Sequence, residues 1–149
     1  MPTSGDADAA RGPAPPRAAA GDTVDAEQYN KLWHELWGAG LQPGMHFDIG
    51  SSAPMLGRLL ASGALGPMEG RSWLVPGCGR GYDALTAAEA GATAVGLDLS
   101  PAAVADAESH RDKAAPREVA QRVRFVAGDF FAYEDPSGRF DFGYDYTFL

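Results

Sequence analysis

The chain has 149 residues, of which 45% are hydrophobic and 21% charged, as in one globular domain with its own core. A net charge of −8 without a basic stripe argues against a nucleic-acid partner, and no apolar run approaches the length of a membrane span. The single cysteine, Cys78, excludes an intrachain disulfide and a cysteine-based metal cluster. A single cysteine is consistent with a reducing compartment, so we expect a cytoplasmic protein.

The first segment, residues 1–24, is rich in alanine, proline and glycine and carries hardly any bulky apolar side chain. It cannot bury enough surface to order itself, so we predict a disordered tail. Arg11 and Arg17 among the alanines leave a transit peptide as the alternative, but the aspartates and the lack of an apolar signal core favour the tail. The folded domain is then expected to span residues 25–149.

A helix is predicted from Asp25 onward, because bulky apolar side chains recur at helical spacing until Gly38. Tyr29, Trp33 and Trp37 lie at four-residue spacing and give this helix one aromatic face. A single such ring usually fills a core. Two tryptophans and a tyrosine on one face favour an N-terminal helical lid over a pocket, and aromatic faces also attract cations.

From about residue 54 the chain alternates between helical and strand-like patterns. Ser51 or Ser52 is a candidate cap for the first of these helices, and Ser100 followed by Pro101 is a typical helix start. We predict helices over residues 54–61, 82–90 and 100–115, and strands over residues 73–75, 94–97, 123–126 and 140–144. This alternation predicts an α/β protein with a parallel, doubly wound sheet, in which ligands bind beyond the carboxyl ends of the strands.

Three glycines, Gly77, Gly79 and Gly81, follow the first strand at every second position. Glycines in this arrangement allow a sharp turn and bring backbone N–H groups close to a ligand. Asp98 stands at the tip of the second strand, where a carboxylate can accept hydrogen bonds from a ribose diol. The ligand is therefore expected to be nucleoside-like.

Pairs of an acidic and an aromatic residue follow the other two strands, Asp129 with Phe130 and Asp145 with Tyr146. Since the carboxyl ends of parallel strands meet at one edge of a sheet, all four stretches are expected to converge on one crevice.

The glycine spacing distinguishes two classes of nucleoside cofactor. The nicotinamide fingerprint G-x-G-x-x-G places its third glycine where this chain has Tyr82, and a pyrophosphate needs an open helix start there. The G-x-G-x-G spacing is similar to that of S-adenosylmethionine-dependent methyltransferases. A nicotinamide-dependent oxidoreductase remains the less favoured alternative.

Longer motifs extend this signal: Leu74–Asp83, Gly96–Ser100, Gly128–Phe131, Tyr144–Phe148 and, upstream, Trp33-x-x-x-Trp37 with Phe47-Asp48-x-Gly50. With them the chain resembles the thiopurine S-methyltransferase family, in its thiol and halide methyltransferase branch. The resemblance covers about residues 29–149. Pro76, where most methyltransferases carry an acid, is specific to this family.

The resemblance implies a Rossmann-like class I methyltransferase sheet and S-adenosyl-L-methionine as the cofactor. The family's cofactor-binding positions match Trp33, Trp37 and Phe47 closing over the cofactor, Gly77 and Gly79 at its methionine end, Asp98 at the ribose, Asp129 and Phe130 at the adenine, and Tyr146 near the sulfonium. The implied acceptor is a small-molecule nucleophile: a small thiol, hydrosulfide, a halide or a thiopurine-like compound.

No catalytic residue and no metal ligand set is assigned. Methyl transfer from a sulfonium to an anionic nucleophile is an in-line displacement that needs no general base, only alignment and desolvation. Asp98→Ala is expected to weaken cofactor binding while leaving the fold intact.

A sheet of this class has about seven strands, and only four are readable in the sequence, so we expect the domain to be incomplete at its C-terminus. The second hypothesis is therefore a cofactor-binding fragment without turnover.

Cys78 is interpreted as a small residue in the tight turn, with a reactive thiolate at the helix start as the alternative. His34 and His110 are predicted to face solvent.

Overall fold

The computed structural model describes residues 25–146 and 148. The predicted tail over residues 1–24 lies outside the described residues. The chain divides into two compact units, one ending at Gly50 and the other beginning at Ser51. Each unit is described by itself below.

The described part of the N-terminal unit, residues 25–50, contains one helix, α1, over Ala26–Gly38. Asp25 caps it, because its carboxylate accepts a hydrogen bond of 3.0 Å from the N–H of Glu27. The predicted aromatic face packs on the loop that follows: the rings of Trp33 and Trp37 lie 5.0 and 5.8 Å from the ring of Phe47. These contacts join the three aromatic residues of this unit that are predicted to close over the cofactor.

The second unit contains the remaining elements. In chain order they are α2 over Pro54–Ala61, β1 over Ser72–Pro76, α3 over Tyr82–Glu89, β2 over Thr93–Asp98, α4 over Pro101–Ala114, α5 over Arg117–Ala120, β3 over Val123–Ala127 and β4 over Phe142–Gly143. The described strands form one sheet in the order β3-β2-β1-β4, and every neighbouring pair is parallel. The predicted parallel, Rossmann-like α/β sheet is confirmed.

Along each strand of the sheet, side chains at alternate positions face the helices. Trp73 pairs in register with Ala94, and Ala94 with Val123, and all three are buried in the core. The core-facing side chains of α3 are small: Ala84, Ala87 and Ala88 are each 0% exposed. Because alanine adds little bulk, α3 lies close against β1 and β2, and this fixes the helix that begins directly after the glycine turn.

The predicted cap of α2 is wrong. Neither Ser51 nor Ser52 caps α2, whose N-cap is Ala53. The N–H of Ala53 donates instead to Oδ1 of Asp83, 2.8 Å away on α3, so the capping group comes from a distant part of the chain.

The fourth strand is shorter than predicted, with only Phe142 and Gly143 in the ladder. Side-chain contacts of Asp141 supplement this short pairing at the start of β1. Its Oδ2 accepts hydrogen bonds from the backbone N–H of Ser72, at 2.8 Å, and from the Ser72 hydroxyl, at 3.2 Å. Arg71 lies 3.5 Å from the other carboxylate oxygen. The hydrogen bonds from Ser72, with the charge of Arg71 adding to them, hold the pKa of Asp141 below its usual value.

Candidate functional site

The glycine turn after β1 has the backbone that the sequence predicts. Gly77, Gly79 and Gly81 have φ angles of +58°, +51° and +80°, in the left-handed region that other residues seldom adopt. The N–H of Gly81 donates to the carbonyl of Cys78 at 2.8 Å and closes the turn. Gly81 is then the N-cap of α3, so the turn passes directly into a helix N-terminus.

The space beside two of these glycines is occupied by aromatic rings. A Cβ on Gly81 would lie 2.4 Å from Cζ of Phe125, and a Cβ on Gly77 would lie 2.5 Å from Cδ2 of Phe148. The sequence predicts that these glycines let a ligand approach the backbone. The structure shows that packing also requires them.

Asp98 joins the glycine turn to the start of α4. Its Oδ2 accepts a hydrogen bond of 2.9 Å from the N–H of Gly79, and its Oδ1 accepts one of 3.0 Å from the N–H of Ser100. Ser100 caps α4 as predicted, since its hydroxyl accepts from the N–H of Ala103. Removing the carboxylate would disturb both elements, so the expectation that Asp98→Ala leaves the fold untouched is revised.

The carboxyl ends of the first three strands are hydrogen-bonded to one another. The N–H of Cys78 donates to the carbonyl of Leu97 at 3.0 Å, and the N–H of Gly128 donates to the carbonyl of Asp98 at 2.9 Å. The glycine turn, the acid after β2 and the segment after β3 therefore lie side by side at one edge of the sheet.

The segment after β3 presents an acid and two aromatic rings. The Asp129 carboxylate accepts a hydrogen bond of 2.9 Å from the N–H of Phe131 and caps a short 3₁₀ turn over Phe130–Ala132. The ring of Phe130 lies edge-to-face on that of Phe131, at 5.3 Å, and on that of Phe148, at 5.5 Å. Phe131 itself is 81% exposed. Phe130 thus connects the segment after β3 with the segment after β4.

A polar cluster anchors the next stretch of this loop. Arg124 of β3 contacts Asp135, which also accepts hydrogen bonds from the hydroxyls of Ser137 and Tyr133. These hydrogen bonds, with the Arg124 charge, hold the pKa of Asp135 well below its usual value. The Asp135 side chain is only 1% exposed, so the loop after Phe130 is firmly attached to the sheet.

Arg80 is a turn residue that the sequence analysis did not single out. Its side chain is only 10% exposed, and one guanidinium nitrogen lies 3.0 Å from Oδ2 of Asp106 on α4. The ion pair ties the centre of the glycine turn to α4. The sequence signal that could have indicated this ion pair is an arginine inside the glycine motif together with an acid on α4.

Asp83 is a second residue that the pattern did not reveal. Burial raises the pKa of its carboxyl, although the hydrogen bond from Ala53 partly opposes this shift. Burial likewise raises the pKa of Tyr144, and the Asp83 charge adds to the effect. The charge of an acid in the first turn of α3 thus acts on a tyrosine just beyond β4.

The thiol of Cys78 fits the interpretation of a small residue in a tight turn. A Cβ on Gly96 would lie 2.9 Å from its Sγ, so the sulfur packs against the backbone of β2. Burial raises the pKa of the thiol well above its ordinary value, and the neighbouring Asp98 charge raises it further. The thiol therefore stays protonated at neutral pH, unlike a reactive thiolate.

His110 differs from its prediction. It is half-buried, and its ring lies edge-to-face on that of Tyr82, 4.9 Å away. This pair links α3 to α4. His34 is exposed, as predicted.

Two cavities lie away from the carboxyl edge. One of about 130 Å³ is lined by residues of α3 and α4, among them Tyr82 and His110. The other, of about 410 Å³, lies where β1, β2 and β3 begin and includes Arg124 and Phe140. Neither is lined by a predicted cofactor residue. Across residues 25–146 and 148, no group of three or more metal-ligating side chains is arranged to hold an ion, and no helix is long and apolar enough to cross a membrane.

The parallel sheet, the left-handed glycine turn and the acid after β2 together define a Rossmann-like fold of the methyltransferase type. Solved structures share it. The structure described as "Conversion of a Disulfide Bond into a Thioacetal Group during Echinomycin Biosynthesis" matches with a TM-score of 0.60 and 26% identity, over 80% of this chain and 47% of that one. A methyltransferase from Thiobacillus denitrificans in complex with S-adenosyl-L-homocysteine matches with a TM-score of 0.50 and 26% identity, over 62% of this chain and 36% of that one.

The family follows from the sequence comparison. The model of the thiopurine S-methyltransferase family matches residues 28–149, and the chain belongs to this family. A "Probable thiol methyltransferase 2" of Arabidopsis thaliana is 39% identical over 117 residues, which are 78% of this chain and 47% of that protein. A "Thiocyanate methyltransferase 1" of Brassica oleracea is 36% identical over 115 residues, 77% of this chain and 46% of that protein. The chain thus spans about half the length of the relatives it matches.

The predicted site residues lie in three parts of the structure. Gly77, Gly79, Asp98, Asp129 and Phe130 lie on the connected turns at the carboxyl edge of the sheet. Tyr146 follows β4 and is 45% exposed. Trp33, Trp37 and Phe47 form their own aromatic cluster within the N-terminal unit.

Proposed function

We propose that this chain binds S-adenosyl-L-methionine and serves methyl transfer to a small nucleophile. One observation carries the proposal: the Asp98 carboxylate is held against the N–H of Gly79, at 2.9 Å, within a left-handed glycine turn. This supports Asp98 as the acid for a ribose diol, because the carboxylate lies directly beside a turn that can approach the rest of a nucleoside. Membership of the thiopurine S-methyltransferase family supports the choice of nucleoside.

The proposed roles of the residues follow the family. Gly77 and Gly79 line the methionine end of the cofactor, and Asp98 receives the ribose hydroxyls. Asp129 and Phe130 flank the adenine, and Tyr146 lies near the sulfonium. Trp33, Trp37 and Phe47 close over the cofactor. These assignments are predictions for the binding measurements below.

When bound, the cofactor supplies the methyl group on a cationic sulfonium, whose sulfur becomes a neutral thioether after the transfer. The protein's task is to align the nucleophile with the methyl carbon, to exclude water and to shield the cation. A nucleophile that arrives as an anion needs no general base, and none is proposed. Small thiols, hydrosulfide, halides and thiopurine-like compounds are the proposed acceptors. Relatives named for thiol and thiocyanate methyl transfer support the small-nucleophile class.

We further propose a cytoplasmic location and no nucleic-acid or membrane partner, on the basis of the lone cysteine and the net charge of −8.

The direct test is calorimetric titration of S-adenosyl-L-homocysteine into the 149-residue chain. Micromolar binding is expected for the unmodified chain. Asp98→Ala is expected to weaken binding by about tenfold or more, because a charged acceptor of hydrogen bonds is lost. Asp112→Ala is the control, since Asp112 is an exposed acid on α4 that pairs with its neighbour Arg111.

The fold must be checked in parallel, because Asp98 also holds the glycine turn and the start of α4. Circular dichroism and an unfolding curve establish that Asp98→Ala is folded at the temperature of titration. An unchanged affinity in the folded variant would exclude Asp98 as the ribose ligand. A folded unmodified chain that does not bind the ligand would contradict the proposed function.

Turnover is a separate question. Hydrosulfide, iodide and small thiols, offered together with S-adenosyl-L-methionine, are expected to yield methylated products. Binding without any product would identify a cofactor-binding chain without turnover. A shift of the melting temperature by NAD(P), and none by S-adenosyl-L-homocysteine, would instead favour an oxidoreductase.

A further inference from the structure

The ring of Phe148 occupies a position between two parts of the carboxyl edge. On one side it fills the space beside Gly77, where a Cβ would lie 2.5 Å from its Cδ2 and 3.0 Å from its Cγ. On the other side it packs edge-to-face on Phe130, with the ring centroids 5.5 Å apart and the planes at 71°. One half-buried side chain thus contacts both the glycine turn and the segment after β3.

Hydrogen bonds hold the backbone that carries this ring. The N–H of Tyr144 donates to the carbonyl of Leu74 on β1 at 2.9 Å. The N–H of Phe148 donates to Oδ1 of Asp145 at 2.8 Å and closes a short turn after β4. The Asp145 side chain therefore positions Phe148.

We propose that Phe148 is a positioning residue for the cofactor, which fixes the distance between the site of its methionine end and the site of its adenine. This inference rests on the proposed function, in which Gly77 lines the methionine end and Phe130 flanks the adenine. A ring wedged between the two prevents the glycine turn and the Phe130 ring from moving independently. The two halves of one ligand then bind cooperatively, because ordering one site also orders the other.

This role differs from general support of the fold. If Phe148 only stabilised the domain, its removal would weaken every ligand of the edge by the same factor. If it couples the two sites, its removal weakens the complete ligand far more than either half of that ligand, because each half uses one site alone. Adenosine represents the adenine half, L-homocysteine represents the methionine half, and S-adenosyl-L-homocysteine carries both.

The experiment compares Phe148→Ala with the unmodified chain by calorimetry, with S-adenosyl-L-homocysteine, adenosine and L-homocysteine as ligands. We expect the affinity for S-adenosyl-L-homocysteine to fall by about tenfold and that for each half alone to change by less than about threefold. Phe148→Leu retains most of the volume and is expected to give an intermediate loss. It also serves as the measurable variant if Phe148→Ala does not fold.

Phe131→Ala is the matched control. Phe131 also packs edge-to-face on Phe130, at 5.3 Å, but it is 81% exposed. Its removal is expected to leave all three affinities within about threefold, because a peripheral ring contact contributes little.

A loss for either half as large as that for S-adenosyl-L-homocysteine in a folded Phe148 variant, or no loss for any of the three ligands, would overturn the inference while leaving the proposed function in place. A folded, unmodified chain that fails to bind S-adenosyl-L-homocysteine would contradict the proposed function, and the inference with it. The two failures are therefore distinguishable in one series of titrations.

Discussion

Gly81 and Gly96 both lack a side chain where the Phe125 ring lies. A Cβ on Gly81 would approach the ring to 2.4 Å, and a Cβ on Gly96 would approach it to 2.5 Å. Phe125 is only 8% exposed and cannot move aside without opening the core. The glycine turn is therefore held from below by a buried ring of β3.

Gly81→Ala is expected to destabilise the fold strongly. The left-handed backbone at φ +80° costs a non-glycine residue about 1–2 kcal/mol, and the clash with Phe125 adds about 1–3 kcal/mol of overpacking. Gly70→Ala is the control, because Gly70 has φ +76° and nothing near its Cβ position. Urea unfolding curves of both variants measure the difference.

The backbone strain is common to both positions, so the difference between the two variants isolates the clash. Equal losses in the free energy of unfolding would mean that Phe125 adjusts without cost and does not support the turn.

At the scale of elements, α2 depends on a capping group that belongs to α3. The Asp83 carboxylate accepts a hydrogen bond of 2.8 Å from the N–H of Ala53, which lies thirty residues earlier in the chain. It thus provides a hydrogen-bond acceptor for the N-terminus of α2, which has no local side-chain cap. Burial raises the pKa of this carboxyl above its ordinary value of 3.8. Its ionisation is therefore less favourable in the folded chain than in the unfolded one.

A pH dependence of stability follows from this shift. Between pH 3.8 and the raised pKa, the folded state binds more protons at Asp83 than the unfolded state, so this group's contribution to the free energy of unfolding falls as the pH rises. Asp83→Asn keeps an oxygen acceptor for the Ala53 N–H and removes the titration. We expect its stability relative to the unmodified chain to increase through that window and to level off above it.

Asp83→Ala removes the acceptor as well, and a lost cap costs about 1 kcal/mol at every pH. Thermal unfolding of both variants from pH 3.5 upward measures these effects, with the exposed Asp112→Asn as the control for a lost charge. A difference between Asp83→Asn and the unmodified chain that does not vary with pH would contradict the buried carboxylate.

At the scale of the whole molecule, the sequence predicted the features that local patterns encode. The apolar runs placed β1, β2 and β3 within a residue or two, Ser100 and Pro101 placed the start of α4, and the alternating glycines placed the turn. Each of these signals depends on neighbours along the chain.

The features that were missed depend on distant contacts. The cap of α2 comes from Asp83, and the ring that fills the space beside Gly77 comes from Phe148. Similarly, His110 is half-buried because its ring packs against that of Tyr82 on α3. No local spacing reveals which side chain another element will present, so these residues could be found only once the sheet had brought them together.

The contact between Ser72 and Asp141 has a consequence for the folding reaction. Ser72 and Asp141 are 69 positions apart, whereas the β1–β2 and β2–β3 pairs join strands that lie much closer along the chain. Closing the longer loop costs more chain entropy, so β4 is expected to join the sheet after the folding transition state. Asp141→Ala should then accelerate unfolding and leave the refolding rate nearly unchanged in stopped-flow experiments, whereas a slower refolding rate would place this edge in the nucleus.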